Sequence, residues 1–179
     1  MLEQIKKNYG FTDYQIAQLK YLFLTFFSEI SKFFLIGLFF LDNIKLYLWT
    51  ILIFLILRSN NGGLHCKTYW SCFAVSLSYI FLSIRILPLI PTAKILQMFI
   101  LLMCIVITYH IGPVTSSFRP TPSESVCKRQ KNKLFMIIFL FLITLYILPE
   151  NPYITTGYWV IILNTCQLLL AKILKKEGN

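Results

Sequence analysis

Charge is what this chain has least of. Of its 179 residues, 17 are Lys or Arg and 7 are Asp or Glu, so 13% are charged, where a soluble domain carries roughly a quarter. That shortage excludes an ordinary soluble enzyme. A hydrophobic content of 57% and a mean hydropathy of +0.69 exclude disorder, which requires low hydrophobicity. Histidine occurs twice, as His65 and His110, and neither Cys-x-x-Cys nor His-x-x-x-His spacing is present. A zinc site built from His65, Cys66, Cys72 and His110 is therefore a weak reading, and no metal or cofactor is expected. The five cysteines are odd in number and irregularly spaced, which argues against a disulfide framework. The first 20 residues are polar and amphipathic, without the apolar core and small-residue site of a cleavable signal peptide.

What the chain does have is long uncharged apolar runs. They cover residues 33–41, 46–57, 68–84, 95–118, 134–149 and 151–171. Six such runs predict an all-α, polytopic membrane helix bundle of about six transmembrane or partly re-entrant helices, forming a single integral membrane domain over 1–179. The expected helices are 12–41, 43–57, 68–87, 94–111, 134–148 and 153–171, preceded by a short interfacial helix over 1–10. Leu2, Ile5 and Tyr9 recur about once per turn beside Lys6 and Lys7, which suits a helix lying on the membrane surface. Gly62-Gly63, Pro88, Pro91, Gly112-Pro113 and the Pro149–Pro152 pair supply the breaks. Residues 113–133 hold three prolines and five basic residues and are expected to form a basic cytoplasmic loop.

The net charge of +10 is distributed unevenly. With a cytoplasmic N-terminus and six spans, thirteen Lys and Arg residues fall inside and three (Lys45, Arg85 and Lys94) outside, while Lys32 lies within a span. By the positive-inside rule both termini are expected in the cytoplasm. This pattern explains the excess charge without nucleic acid, which is not an expected partner.

Few polar residues are placed for chemistry. His65 and Cys72 stand on the expected cytoplasmic side, just after the glycine break. A thiol and an imidazole are the minimum for nucleophilic attack on a carbonyl. Cys72 near a helix start also gains from peptide dipoles that stabilise negative charge there. On one continuous helix, however, seven residues place the two side chains ~10 Å apart along the axis. A catalytic pair thus requires His65 to sit off the helix, on a bend that Gly62 and Gly63 permit. The alternative is a buried cysteine in a helix contact and an interfacial histidine. Glu29 is three residues before Lys32, and the two are expected to pair, since either alone would be costly in a span. A sharper possibility is that Glu29 orients His65. His110, at the cytoplasmic end of its span, is an alternative base. The basic residues Arg119, Lys128, Arg129, Lys131 and Lys133 read first as an anionic-lipid contact and topology signal, and second as a dock for an acidic part of a substrate.

The segment from Arg58 through Asn60, Asn61, Gly62, Gly63, Leu64 and His65 to Cys72 resembles the motif of the AgrB family, the accessory gene regulator B membrane endopeptidases. Its Arg, Gly-Gly-x-His and following Cys match at Arg58, Gly62, Gly63, His65 and Cys72. The chain length, the several apolar runs and the Gly112-Pro113, Arg119-Pro120 and 128–133 segments are similar too. One departure is Cys66, where the family often has Ala; a residue filling a small slot is the simpler reading than a second nucleophile. The resemblance implies a cysteine endopeptidase of the bacterial cell membrane that cleaves a short precursor peptide on the cytoplasmic side. Cys72 and His65 would be the catalytic pair, with Arg58, Gly62 and Gly63 in support. The product would be a cyclic thiolactone or lactone signal for quorum sensing. The implied partner is an AgrD-like precursor as substrate, beside the lipid bilayer that the apolar runs require; a homodimer with a second copy is an open alternative, since oligomeric state is not legible in the sequence. The competing reading is a non-enzymatic peptide exporter or scaffold subunit. A transporter should carry several ionisable groups at mid-bilayer, and this chain has essentially Glu29 and Lys32.

Overall fold

A computed structural model describes residues 27–62, 68–114 and 124–177. The expected interfacial helix over 1–10 and the start of the first long helix lie outside these residues. Six helices are described: α1 (Phe27–Leu38), α2 (Ile44–Asn61), α3 (Tyr69–Phe81), α4 (Lys94–Ile111), α5 (Glu124–Ile147) and α6 (Pro152–Glu177). The chain divides into two compact units, Met1–Leu41 and Asp42–Asn179. Among the described residues there is no β-strand, only an isolated parallel bridge between Gly62 and Val114. The all-α membrane bundle expected from the sequence is the fold observed.

Among the described residues, four segments are individually long and apolar enough to cross a membrane: Tyr69–Leu89, Lys94–Ile111, Glu124–Ile147 and Pro152–Leu174. Phe27–Leu38 and Leu41–Asn61 qualify only as a pair flanking a break, making a fifth crossing or a re-entrant segment. For α2, which has 18 residues, the physical reason is polarity. Helix α2 carries Lys45 near one end and Arg58, Asn60 and Asn61 at the other.

In the second unit α6 is the central helix, packed against α2 and α4, while α5 lies along α4 and α2. Half of the apolar window of α6 is buried, against 22–33% for α3, α4 and α5. The polarity pattern is inverted relative to a soluble domain. Thr50, Ser76, Gln97, Thr108, Asn164 and Thr165 are buried, whereas Leu48, Leu52, Phe99, Leu102, Met136 and Leu140 are exposed. In water this arrangement would be unfavourable. In hydrocarbon it turns the apolar side chains to lipid and lets the polar ones bond within the bundle. Thr50, Thr108 and Thr165 each donate to a carbonyl four residues back.

The helix ends follow local chemistry. Helix α3 begins at an N-cap, Thr68, whose hydroxyl accepts from the Ser71 amide. It leaves the α form through a π turn at Leu82–Ile86 and a 3-10 turn at Leu87–Leu89, where Pro88 cannot extend the ladder. Asn151 accepts from the amides of Tyr153 and Ile154 at 3.0 Å, capping α6 with Pro152 at its first position. Several boundaries differ from those expected, among them the end of α1 at Leu38 rather than 41 and the end of α6 at Glu177 rather than 171. Helix α2 continues past Leu57 to Asn61. Helix α5 begins at Glu124 rather than 134, so part of the expected 113–133 loop is helix. The stretch 124–133 contains neither Gly nor Pro, is rich in Lys, Arg and Gln, and opens with an acid; each feature favours helix.

Candidate functional site

The bundle of the second unit has two unlike ends. At one, Arg85 pairs with Asp42, Trp49 donates to the Tyr153 carbonyl at 2.9 Å and Lys94 reaches the Leu148 carbonyl. The Arg85 guanidinium, donating to Asp42 in its exposed turn, holds that carboxyl below the usual range. At the other end α2 and α4 terminate side by side, and α3 and α5 begin.

The junction at this second end is built on glycine. Gly62 caps α2 at φ +72°, and its amide donates to the Arg58 carbonyl at 2.9 Å. The Val114 amide donates to the Asn61 carbonyl at 2.9 Å, drawing the strand-like segment after α4 against the end of α2. A Cβ on Gly62 would fall 2.1 Å from the Val114 carbonyl oxygen. Gly112 caps α4 in a similar conformation, φ +71°, and a Cβ there would lie 2.4 Å from the Lys131 Cε of α5. Lys131 in turn places its ammonium over the Tyr109 ring, 5.8 Å from the centroid. The buried Asn61 side chain donates to the Asn164 side chain of α6 at 2.8 Å. Two helix ends, those of α2 and α4, are thereby tied to each other, to α6 through Asn164 and to α5 through Lys131. Gly62 and Gly112-Pro113 read in the sequence as separate breaks, yet Gly62 meets Val114, the residue that follows the second break. Asn61 and Asn164, polar residues flanked by apolar runs, carried the available signal.

Cys72 lies one turn into α3 from the Thr68 cap, with its amide donating to the Thr68 carbonyl at 3.2 Å, and it is buried. Cys72, Ser76, Tyr79 and Ser83 form the buried stripe of this helix segment, so Cys72 faces the bundle interior. Two turns along the stripe, the Tyr79 ring packs on Phe54 of α2, 4.7 Å between centroids. Arg58 joins this cluster, its guanidinium carbon 5.3 Å from the Phe54 centroid. The Arg58 Nη2 is buried and has no hydrogen-bond partner among the described residues. A buried guanidinium N–H left without an acceptor is costly and marks a place where a carbonyl or carboxylate would be welcome.

The remaining candidates distribute as follows. His65, Gly63, Cys66 and Arg119 lie outside the described residues. His110 is exposed and lines a cavity of about 420 Å³ with Ile105, Val106, Tyr109, Asn132 and Phe135; Cys72 does not line it. Glu29 accepts from Lys32 at 2.8 Å, the mutual pair expected one turn apart. Lys128, Arg129 and Lys133 line a second cavity of about 860 Å³ between α5 and the end of α2. Among the described residues, no group of three or more His, Cys, Asp or Glu side chains is placed to hold a metal.

The family model described as Accessory gene regulator B matches residues 1–170. A Clostridium beijerinckii protein described as AgrB-like is 32% identical over 118 residues, covering 63% of this chain and 58% of that protein. The chain thus aligns with little more than half the length of this curated relative. No solved structure matches.

Proposed function

The chain belongs to the AgrB family of membrane proteins, and from that footing we propose that it is a cysteine endopeptidase that processes an AgrD-like precursor peptide. Cys72 is the nucleophile and His65 its base. The observation that carries this reading is the position of Cys72: buried and interior-facing, one turn from the start of α3, at the bundle end where α2 presents Arg58. Six described basic residues (Arg58, Lys128, Arg129, Lys131, Lys133 and Lys172) belong to this end and three (Lys45, Arg85 and Lys94) to the other. That imbalance supports a cytoplasmic site with both termini inside.

The chemistry runs in two acyl transfers. His65 takes the thiol proton, and the Cys72 sulfur attacks the scissile carbonyl. The positive end of the α3 dipole favours the charge on sulfur. The tetrahedral intermediate collapses as His65 returns the proton to the leaving amine, so the C–N bond breaks and a thioester on Cys72 remains. Arg58, with its unbonded Nη2, donates to a peptide carbonyl or carboxylate and holds the chain in place. A Cys or Ser within the precursor then attacks the thioester carbonyl, closing the ring and freeing Cys72. Exchanging one thioester for another is near thermoneutral, so removal of the C-terminal piece or of the ring drives the sequence. The burial of Cys72 keeps water from the acyl-enzyme.

The test is co-expression with the precursor, followed by mass spectrometry of peptide and enzyme. A precursor whose ring-closing residue is replaced by Ala should leave the enzyme heavier by the acyl fragment, and hydroxylamine should remove that mass. Cys72→Ala should yield neither cleavage nor adduct. Cleavage by purified Cys72→Ala in vesicles would refute the assignment and leave an exporter or scaffold subunit.

A further inference from the structure

The cavity between α5 and the end of α2 is not used by this chemistry. It runs along α5 from Ser125 to Ile137, about 18 Å at ~1.5 Å per residue. Its chemistry changes along that length. Lys128, Arg129 and Lys133 supply cationic heads over the first part, Met136 and Ile137 an apolar end, and Ser59 and Asn60 of α2 face them. The change falls at Lys133, where the uncharged run 134–149 begins. The three cations are exposed. The ion pairs within 4.0 Å between described residues are Glu29–Lys32 and Asp42–Arg85, and neither involves these three. From Met136 at the apolar end of the cavity, Leu140, Ile143 and Ile147 continue the exposed face. Their spacing of four, three and four residues makes one continuous apolar track down the helix.

We propose that this groove is a binding site for an anionic phospholipid, with the phosphate between Lys128, Arg129 and Lys133 and one acyl chain along the Met136–Leu140–Ile143–Ile147 track. The order of the groove's chemistry is that of the lipid: anionic head, then hydrocarbon, with the transition at the level where the apolar span starts. Basic side chains near a membrane surface attract anionic lipid, and a pocket of about 860 Å³ is within the range of small-molecule sites. An acidic peptide would satisfy the cations but has no use for an apolar end that continues into the spanning part of α5.

Native mass spectrometry of the full chain in detergent, titrated with dioleoyl phosphatidylglycerol or dioleoyl phosphatidylcholine, tests this. Wild type should retain phosphatidylglycerol in preference to phosphatidylcholine. Lys128→Gln/Arg129→Gln/Lys133→Gln should weaken phosphatidylglycerol retention roughly tenfold or more. Lys45→Gln/Lys94→Gln/Lys172→Gln, which removes equal charge elsewhere, should change it less than twofold. Met136→Trp keeps every cation but fills the apolar end, and it should also weaken retention; this single variant serves if the triple one fails to fold. Equal retention of the two lipids, or wild-type retention in Met136→Trp, would overturn the proposal. So would a Glu-rich peptide that binds wild type but not the triple variant while phosphatidylglycerol does not bind; the groove would then be a peptide dock.

Discussion

Replacing Gly62 by Ala isolates the junction between α2 and the segment after α4. Two costs add. The backbone at φ +72° and ψ −144° is a region essentially reserved for glycine, and forcing another residue into it costs on the order of 1–3 kcal/mol. The new Cβ would also stand 2.1 Å from the Val114 carbonyl oxygen, which is backbone and cannot swing aside. Relief requires the 112–114 segment to retreat, and the Val114–Asn61 hydrogen bond is then lost, costing about 1 kcal/mol more. The expected destabilisation is ~2–4 kcal/mol, or a drop in Tm on the order of 10 °C for a chain of this size. Thermal unfolding of the purified protein in detergent, followed by tryptophan fluorescence, measures it. Because Gly62 also begins the segment that leads to His65, Gly62→Ala should lose precursor cleavage even at temperatures where it remains folded. A variant that melts with wild type would show that neither the positive φ nor the contact with Val114 is a real constraint, and the account of this junction would fall.

Two other outcomes follow from the described contacts. Asn61→Ala and Asn164→Ala should each destabilise the protein, and the double variant should lose less than their sum, with a coupling of ~0.6–1.7 kcal/mol in a double-mutant cycle; purely additive losses would show that the 2.8 Å side-chain bond contributes nothing. Asp42 has its carboxyl held below the ordinary value of 3.8 by Arg85, so its pair contributes stability above that pH and loses it as pH falls through the depressed value. Wild type should therefore out-melt Asp42→Asn at neutral pH, and the gap should close on acidification below about 3.8; a gap that widens with acid would reverse the assignment.

The apolar runs and the scarcity of charge fixed a helical membrane bundle from sequence, because partition between water and hydrocarbon depends on composition over about 20 residues and hardly on tertiary detail. The Glu29–Lys32 pair was legible for a similar reason: three residues on a helix are neighbours whatever the fold. The Arg58, Gly62-Gly63, His65 and Cys72 spacing was legible as a family motif. Tertiary structure alone decided what Gly62 is for. Its neighbour is Val114, 52 residues away, and no local pattern announces that a carbonyl oxygen will occupy the space of its missing Cβ. Asn61 with Asn164, Tyr79 with Phe54 and Arg58, and the groove between Asn60 and Lys133 are likewise meetings of distant segments. The sequence supplies such residues with their chemistry, but helix packing chooses the pairs, since burial in a bundle is fixed by which faces close on one another.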